Sequence, residues 1–112
     1  MPNAEGDNMY YDIGFFSEMD LSAHNSGSIR DSMVDKVSYD KETVIKYLSS
    51  FKHFASCPKS AIDCVTGEII SPSFRLYMDG VFCWADFLAY HIEKYNIQLP
   101  DKFIKHILAV YL

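Results

Sequence analysis

Residues 74–95 read FRLYMDGVFCWADFLAYHIEKY, and this stretch decides the fold. Asp79-Gly80 separates two short runs rich in Phe, Leu, Tyr and Val. An Asp-Gly pair between alternating apolar residues is a strong hairpin signal, because a type I′ turn needs positive φ at both central positions. Beyond the turn the apolar period lengthens from two to about 3.6, which predicts a helix. Trp84, Phe87, Leu88, His91, Ile92 and Tyr95 fall on one face of it. Asp86 then lies in the first turn and Lys94 in the last, each matched to the helix dipole, and Asn96 is a stop signal. The unit contains the sole Trp of the chain and is expected to supply much of the core.

Working outward, Ile97-Gln98-Leu99 reads as a short connector. Pro100 suits the first position of a further helix and Asp101 its first turn. Phe103, Ile104, Ile107, Leu108 and Tyr111 give that helix an apolar face. On the other side, Thr66-Gly67 predicts a turn between residues 62–65 and 68–70, and Pro72 separates that turn from the hairpin. Pro58 pushes Cys57 away from helical angles. Asp40 can cap a helix at 41–51 with Val44, Ile45, Leu48 and Phe51 buried, and Ser28 can cap one at 28–38 with Ile29, Met33 and Val37 on a stripe. The run 9–16, MYYDIGFF, is β-prone but interrupted by Asp12 and Gly14, so both a short strand and a segment laid across the core stay open. Residues 17–27 read as a long loop, and the polar residues 1–8 are expected to be loose.

These readings predict a single domain over 1–112 of α+β class, mainly helical. Four helices near 28–38, 41–51, 84–95 and 101–111 would pack with a small antiparallel sheet near 62–84. Trp84, Leu88, Ile92, Leu48, Ile104 and Leu108 are the expected core. With 112 residues, 49% hydrophobic and 15% aromatic, the chain can fill one core. It has no apolar run of about 18 residues, so no membrane span is expected. MPNAEGDNMYYD lacks the basic start and apolar centre of a signal peptide, which makes the cytoplasm the expected compartment.

The formal charge of -5 is unevenly placed. Residues 1–45 carry nine acids against three bases, a balance of -6, and residues 46–112 carry six against seven, a balance of +1. Phosphate contacts need a basic face, so direct binding of nucleic acid is disfavoured and a basic protein partner is favoured. The plainer reading of the acid excess is a well-solvated surface.

Few residues suggest chemistry. Cys57, Cys64 and Cys83 form no CxxC, which argues for buried thiols over a disulfide framework or a zinc site. His91 and Glu93, two apart on a helix, point to different faces and make a poor metal pair. His91 on the apolar stripe reads as a hydrogen-bonded core residue. A nucleophilic pair of Cys83 and His91 is the alternative, and it would make the chain a small enzyme or regulator. Asp79 and Asp86 are explained by a turn and a helix start. No phosphate-binding, metalloprotease or calcium-loop motif occurs. No cofactor or metal is expected, and no catalytic residue is assigned.

Residues 63–108 carry a family resemblance. The pattern is Asp63, Thr66-Gly67-Glu68, Tyr77, Asp79-Gly80, Trp84, Tyr90, Lys94-Tyr95-Asn96, Leu99-Pro100 and Phe103-Ile104. It resembles small bacterial immunity proteins of contact-dependent growth inhibition and related toxin systems. The matched positions are mostly scaffold. The resemblance implies a non-enzymatic inhibitor that binds and blocks a cognate toxin domain, many such toxins being nucleases, with a ribonuclease favoured. A nuclease cleft is basic, so an occluding surface should offer carboxylates and aromatics. The expected partner-binding residues are therefore Tyr10, Tyr11, Asp12, Glu18, Asp20, Asp31, Asp35 and Tyr39, all in the acidic part.

Overall fold

The computed structural model describes residues 11–21 and 25–111. Its strands are β1 (Tyr11–Asp12), β2 (Ala55–Cys57), β3 (Ala61–Ile62), β4 (Ile69–Ser71), β5 (Phe74–Met78) and β6 (Phe82–Ala85). Its helices are α1 (Lys41–Leu48), α2 (Phe87–Lys94) and α3 (Asp101–Val110), with 3-10 turns at Ser17–Met19 and Ile29–Ser32. The main sheet has the order β1-β6-β5-β2, and β3-β4 form a separate hairpin. β1 runs parallel to β6, whereas β5 is antiparallel to both β6 and β2. The α+β class therefore stands, but not the mainly helical balance: among the described residues 34% are helical, the 3-10 turns included, and 22% are strand, and the main sheet is mixed.

Two elements account for most of that difference. The helix expected at 28–38 is one 3-10 turn followed by irregular chain with bends at 35–36 and 38–39. Ser28 does accept the N–H of Arg30, as a cap would. The chain leaves the helical path where residues 96–98 offer it partners: Met33 bridges Ile97, Val34 N–H donates to the Asn96 carbonyl, and Gln98 N–H donates to that of Ser32. A stripe of three apolar residues is too weak to resist such pairing, since tertiary contacts override helix propensity. The helix expected from residue 84 begins at Phe87, and Trp84 belongs to β6 instead. All four β6 residues are buried, so their continuous apolar run is that of a central strand.

The hairpin turn also differs. Gly80 has φ +100°, but Asp79 is not in the left-handed region, where Asp20 is the one non-glycine among the described residues. The Asp79 carboxylate builds the turn in place of positive φ, accepting the N–H groups of Val81 and Phe82.

Phe82 and Trp84, two apart on β6, share a face. The Phe103 ring of α3 meets both, at 4.8 and 5.9 Å, and Tyr47 of α1 lies 6.1 Å from Trp84. α1 and α3 are thus fastened to the sheet by an aromatic cluster. A second cluster joins Phe15, Phe74 and Phe87. Of the expected core, Trp84, Leu88, Ile92, Leu48 and Ile104 are buried, but Leu108 is 48% exposed. Its position on α3 turns away from the sheet toward solvent. The open reading of residues 9–16 resolves into both alternatives: Tyr11–Asp12 is a strand, and Ile13, Phe15 and Phe16 lie in the core. Gly14 makes that path possible. Its φ is +74°, and a Cβ there would stand 2.5 Å from Cδ1 of Leu88.

Candidate functional site

Several polar groups with chemical potential are committed to holding the fold. Asp63 is fully buried. Its carboxylate accepts the N–H groups of Val65 and Thr66, at 2.8 and 3.0 Å. It also accepts the hydroxyls of Tyr90 and Tyr95, at 2.7 and 2.8 Å, and the ammonium of Lys94 at 3.1 Å. Burial works against its charge, but these hydrogen bonds outweigh burial and hold its pKa far below the ordinary range. Asp63, Thr66, Tyr90, Lys94 and Tyr95 all belong to the pattern of the family resemblance. They are one device that ties the β3–β4 turn to α2.

Asp79 does the same for the other turn. Beyond its two backbone donors it accepts the Tyr47 hydroxyl at 2.6 Å from α1 and lies 3.0 Å from His106 Nε2 of α3. His91 is fully buried, with Nδ1 donating to the Phe87 carbonyl at 2.7 Å and Nε2 accepting the Cys64 N–H at 2.9 Å. That pair of bonds fixes a neutral tautomer, and burial lowers its pKa. Both ring nitrogens are engaged, and neither is bonded to Cys83. Burial raises the Cys83 thiol to about 11 and that of Cys64 to about 12.

The expected partner-binding residues occupy two neighbouring stretches. Tyr10 lies outside the described residues. Tyr11 is exposed on the edge strand β1, with the Lys102 ammonium 3.7 Å from its ring centre. Asp12, beside it, is half-buried. Glu18 turns inward: its carboxylate accepts the Ser28 hydroxyl and the Ile29 N–H. Burial opposes its ionisation, but those two bonds prevail and lower its pKa. Asp20 and Asp31 are exposed on the two 3-10 turns that Glu18 joins.

The second stretch is the irregular strap 33–39. Asp35 is exposed on it, and its carbonyl accepts the Asn96 side-chain N–H at 2.8 Å. The Gln98 side chain clamps Ser38 from both ends, accepting its N–H at 3.0 Å and donating to its hydroxyl at 2.7 Å. Tyr39 donates its hydroxyl to the Ile97 carbonyl, and burial raises its pKa to about 12. Glu18 and Tyr39 thus position this surface, and Asp20, Asp31 and Asp35 present charge on it. Where the strap enters α1, a groove of about 160 Å³ opens between Tyr39, Asp40, Val44, Ile104, Ile107 and Leu108. Exposed Leu108 is its outer lip. Sequence reasoning missed this groove and the clamping roles of Asn96 and Gln98, which read as a helix stop and a plain connector.

No helix of the described residues is long and apolar enough to cross a membrane. No protein-family model, curated protein or solved structure matches the chain.

Proposed function

We propose that this protein is an inhibitor of the immunity type, which binds a basic toxin domain through the surface that carries Asp20, Asp31 and Asp35. The supporting observation is the placement of Asp20, Asp31 and Asp35. They stand exposed on chain that is held from behind by Glu18, Asn96, Gln98 and Tyr39. Carboxylates on a pre-ordered backbone engage a basic cleft without the entropy cost of ordering a loop. The adjoining groove beside Leu108 offers apolar contact area, which carboxylates alone lack. A nuclease cleft has the matching charge, and the pattern of residues 63–108 resembles proteins that serve this role in the bacterial cytoplasm.

The test uses the toxin domain encoded beside this chain. Cells expressing that domain should grow when this protein is co-expressed. Changing Asp20, Asp31 and Asp35 together to Asn should leave the fold intact and slow association about tenfold at low salt. Unchanged binding by that triple variant, with binding abolished by Glu68→Gln or Asp86→Asn, would move the interface to the hairpin end.

A further inference from the structure

A second hollow lies between the C-terminal end of α1, the β5-β6 hairpin and the start of α2. It measures about 140 Å³ and is lined by Leu48, Ser49, Tyr77, Trp84, Asp86 and Ala89. Nothing in the strap surface accounts for it.

Its walls divide by chemistry. Tyr77 and Trp84 face each other across the hairpin, with ring planes within 7° of parallel and centres 6.5 Å apart. Trp84 is buried, so half-buried Tyr77 presents the aromatic surface of the hollow and the indole backs it. Leu48 and Ala89 add aliphatic surface, and Asp86 adds a carboxylate. One Asp86 oxygen accepts the Arg75 N–H at 3.2 Å. Among the described residues no basic side chain forms an ion pair with it, and Arg75 acts on it only through longer-range attraction. The surrounding protein strips part of its hydration, which raises its pKa against the weaker pull of its hydrogen bonds. The C-terminal end of α1, at Leu48 and Ser49, contributes further negative potential. The N-terminus of α2 acts the other way, and Asp86 at its cap offsets it.

We infer that this hollow receives an arginine side chain of the protein partner, with the guanidinium against Asp86 and its flat face on Tyr77. A guanidinium is planar, stacks on aromatic rings and pairs with a carboxylate through two N–H groups. An ammonium offers a point charge and no face, so lysine fits less well. The source of the arginine rests on the inhibitor reading above, whereas the site itself does not.

The probe is Nα-acetylarginine methylamide, titrated into the protein alone. Trp84 is the only Trp and its ring lies directly behind Tyr77, so its fluorescence reports on the site. The amide NMR signals of Ser49 and Ala89 report independently. Saturable binding is expected, with Kd on the order of millimolar. Nα-acetylcitrulline methylamide, the neutral isostere, should bind at least about tenfold more weakly. Asp86→Asn should lose binding to the same degree, because its side-chain oxygen still accepts the Arg75 N–H while the charge is gone. Ala89→Leu, which fills the hollow and leaves the carboxylate, should also lose it. A linear, unsaturating response, equal binding of the citrulline compound, or undiminished binding by both variants would overturn the site. If the probe fails while the Asp20/Asp31/Asp35 variant still loses the toxin, only the arginine site falls. If the probe binds and that variant keeps the toxin, only the strap surface falls.

Discussion

Asp63 shows how much one side chain can organise. Its five donors come from its own turn and from α2, so Asp63→Ala would strand two backbone N–H groups and two tyrosine hydroxyls. Lys94, with its side chain 46% exposed, would return to water at little cost. The expected loss is about 2–4 kcal/mol, read as a lower urea midpoint. His91 gives a pH signature instead. Its folded pKa lies below the ordinary 6.5, so the unfolded chain takes up that proton first as pH falls. Its contribution is therefore complete above about pH 6.5 and is lost as pH falls toward the folded pKa. The urea midpoint should drop between about pH 7 and about pH 5, and His91→Gln, which can still donate and accept, should flatten that drop. The burial of His91 was legible from its place on the apolar stripe. The target of Tyr90 and Lys94 was not: their four-residue spacing put them on one helix face, but only folding brings Asp63 to it.

At the scale of elements, helix signals with a cap and a full apolar stripe survived. Asp40 accepts the Thr43 N–H and α1 follows; α3 starts at Asp101 behind Pro100. What failed were boundaries set by period alone. Trp84 lies at the junction of a period of two and one of 3.6, and both patterns admit it. Its burial, at 1% exposed, was read correctly and its element was not. Trp84→Ala should cost about 3–5 kcal/mol by chemical denaturation, because it removes the centre of the Tyr47, Phe51 and Phe103 ring cluster. An indole readily quenched by acrylamide in the native protein would contradict this packing. The strap was illegible for a different reason. Its partners lie on a distant connector, and no local pattern encodes them. Gln98→Ala should cost about 1 kcal/mol and speed hydrogen exchange at the Ser38 amide, while exchange in β6 stays slow. Equal acceleration in both would mean that the strap and sheet open as one unit.

At the scale of the whole molecule, charge is uneven along the chain but not cleanly divided in space: Lys59 donates to the Asp20 carbonyl and Lys102 covers Tyr11. The acid excess lies in residues 1–45, while Lys46, Lys52, Lys59 and Arg75 follow in a stretch whose one acid before Glu68 is buried Asp63. Under the inhibitor reading, the exposed carboxylates Asp20, Asp31 and Asp35 attract a basic partner before contact. Raising the salt from about 0.05 M to about 0.5 M should therefore slow association much more than it speeds dissociation, as stopped-flow measurement would resolve. A dissociation rate carrying most of the salt dependence would indicate buried ion pairs instead. The charge asymmetry was plain in the sequence. Its division into presenting carboxylates and the turn-building Glu18 needed the fold, because exposure is a property of packing.

The clamp on the strap also sets a timetable. Ser38 and Gln98 are 60 residues apart, and Tyr39 and Ile97 are 58 apart. A ribosome adds about 5–20 residues per second, so the strap waits several seconds for the segment that fixes it. The central hairpin and α2, built from nearby residues, can form in the meantime. A chain released early by a premature stop before residue 96 would carry Asp20, Asp31 and Asp35 but neither Asn96 nor Gln98. Under the inhibitor reading, the binding surface is therefore set only after translation has passed the connector.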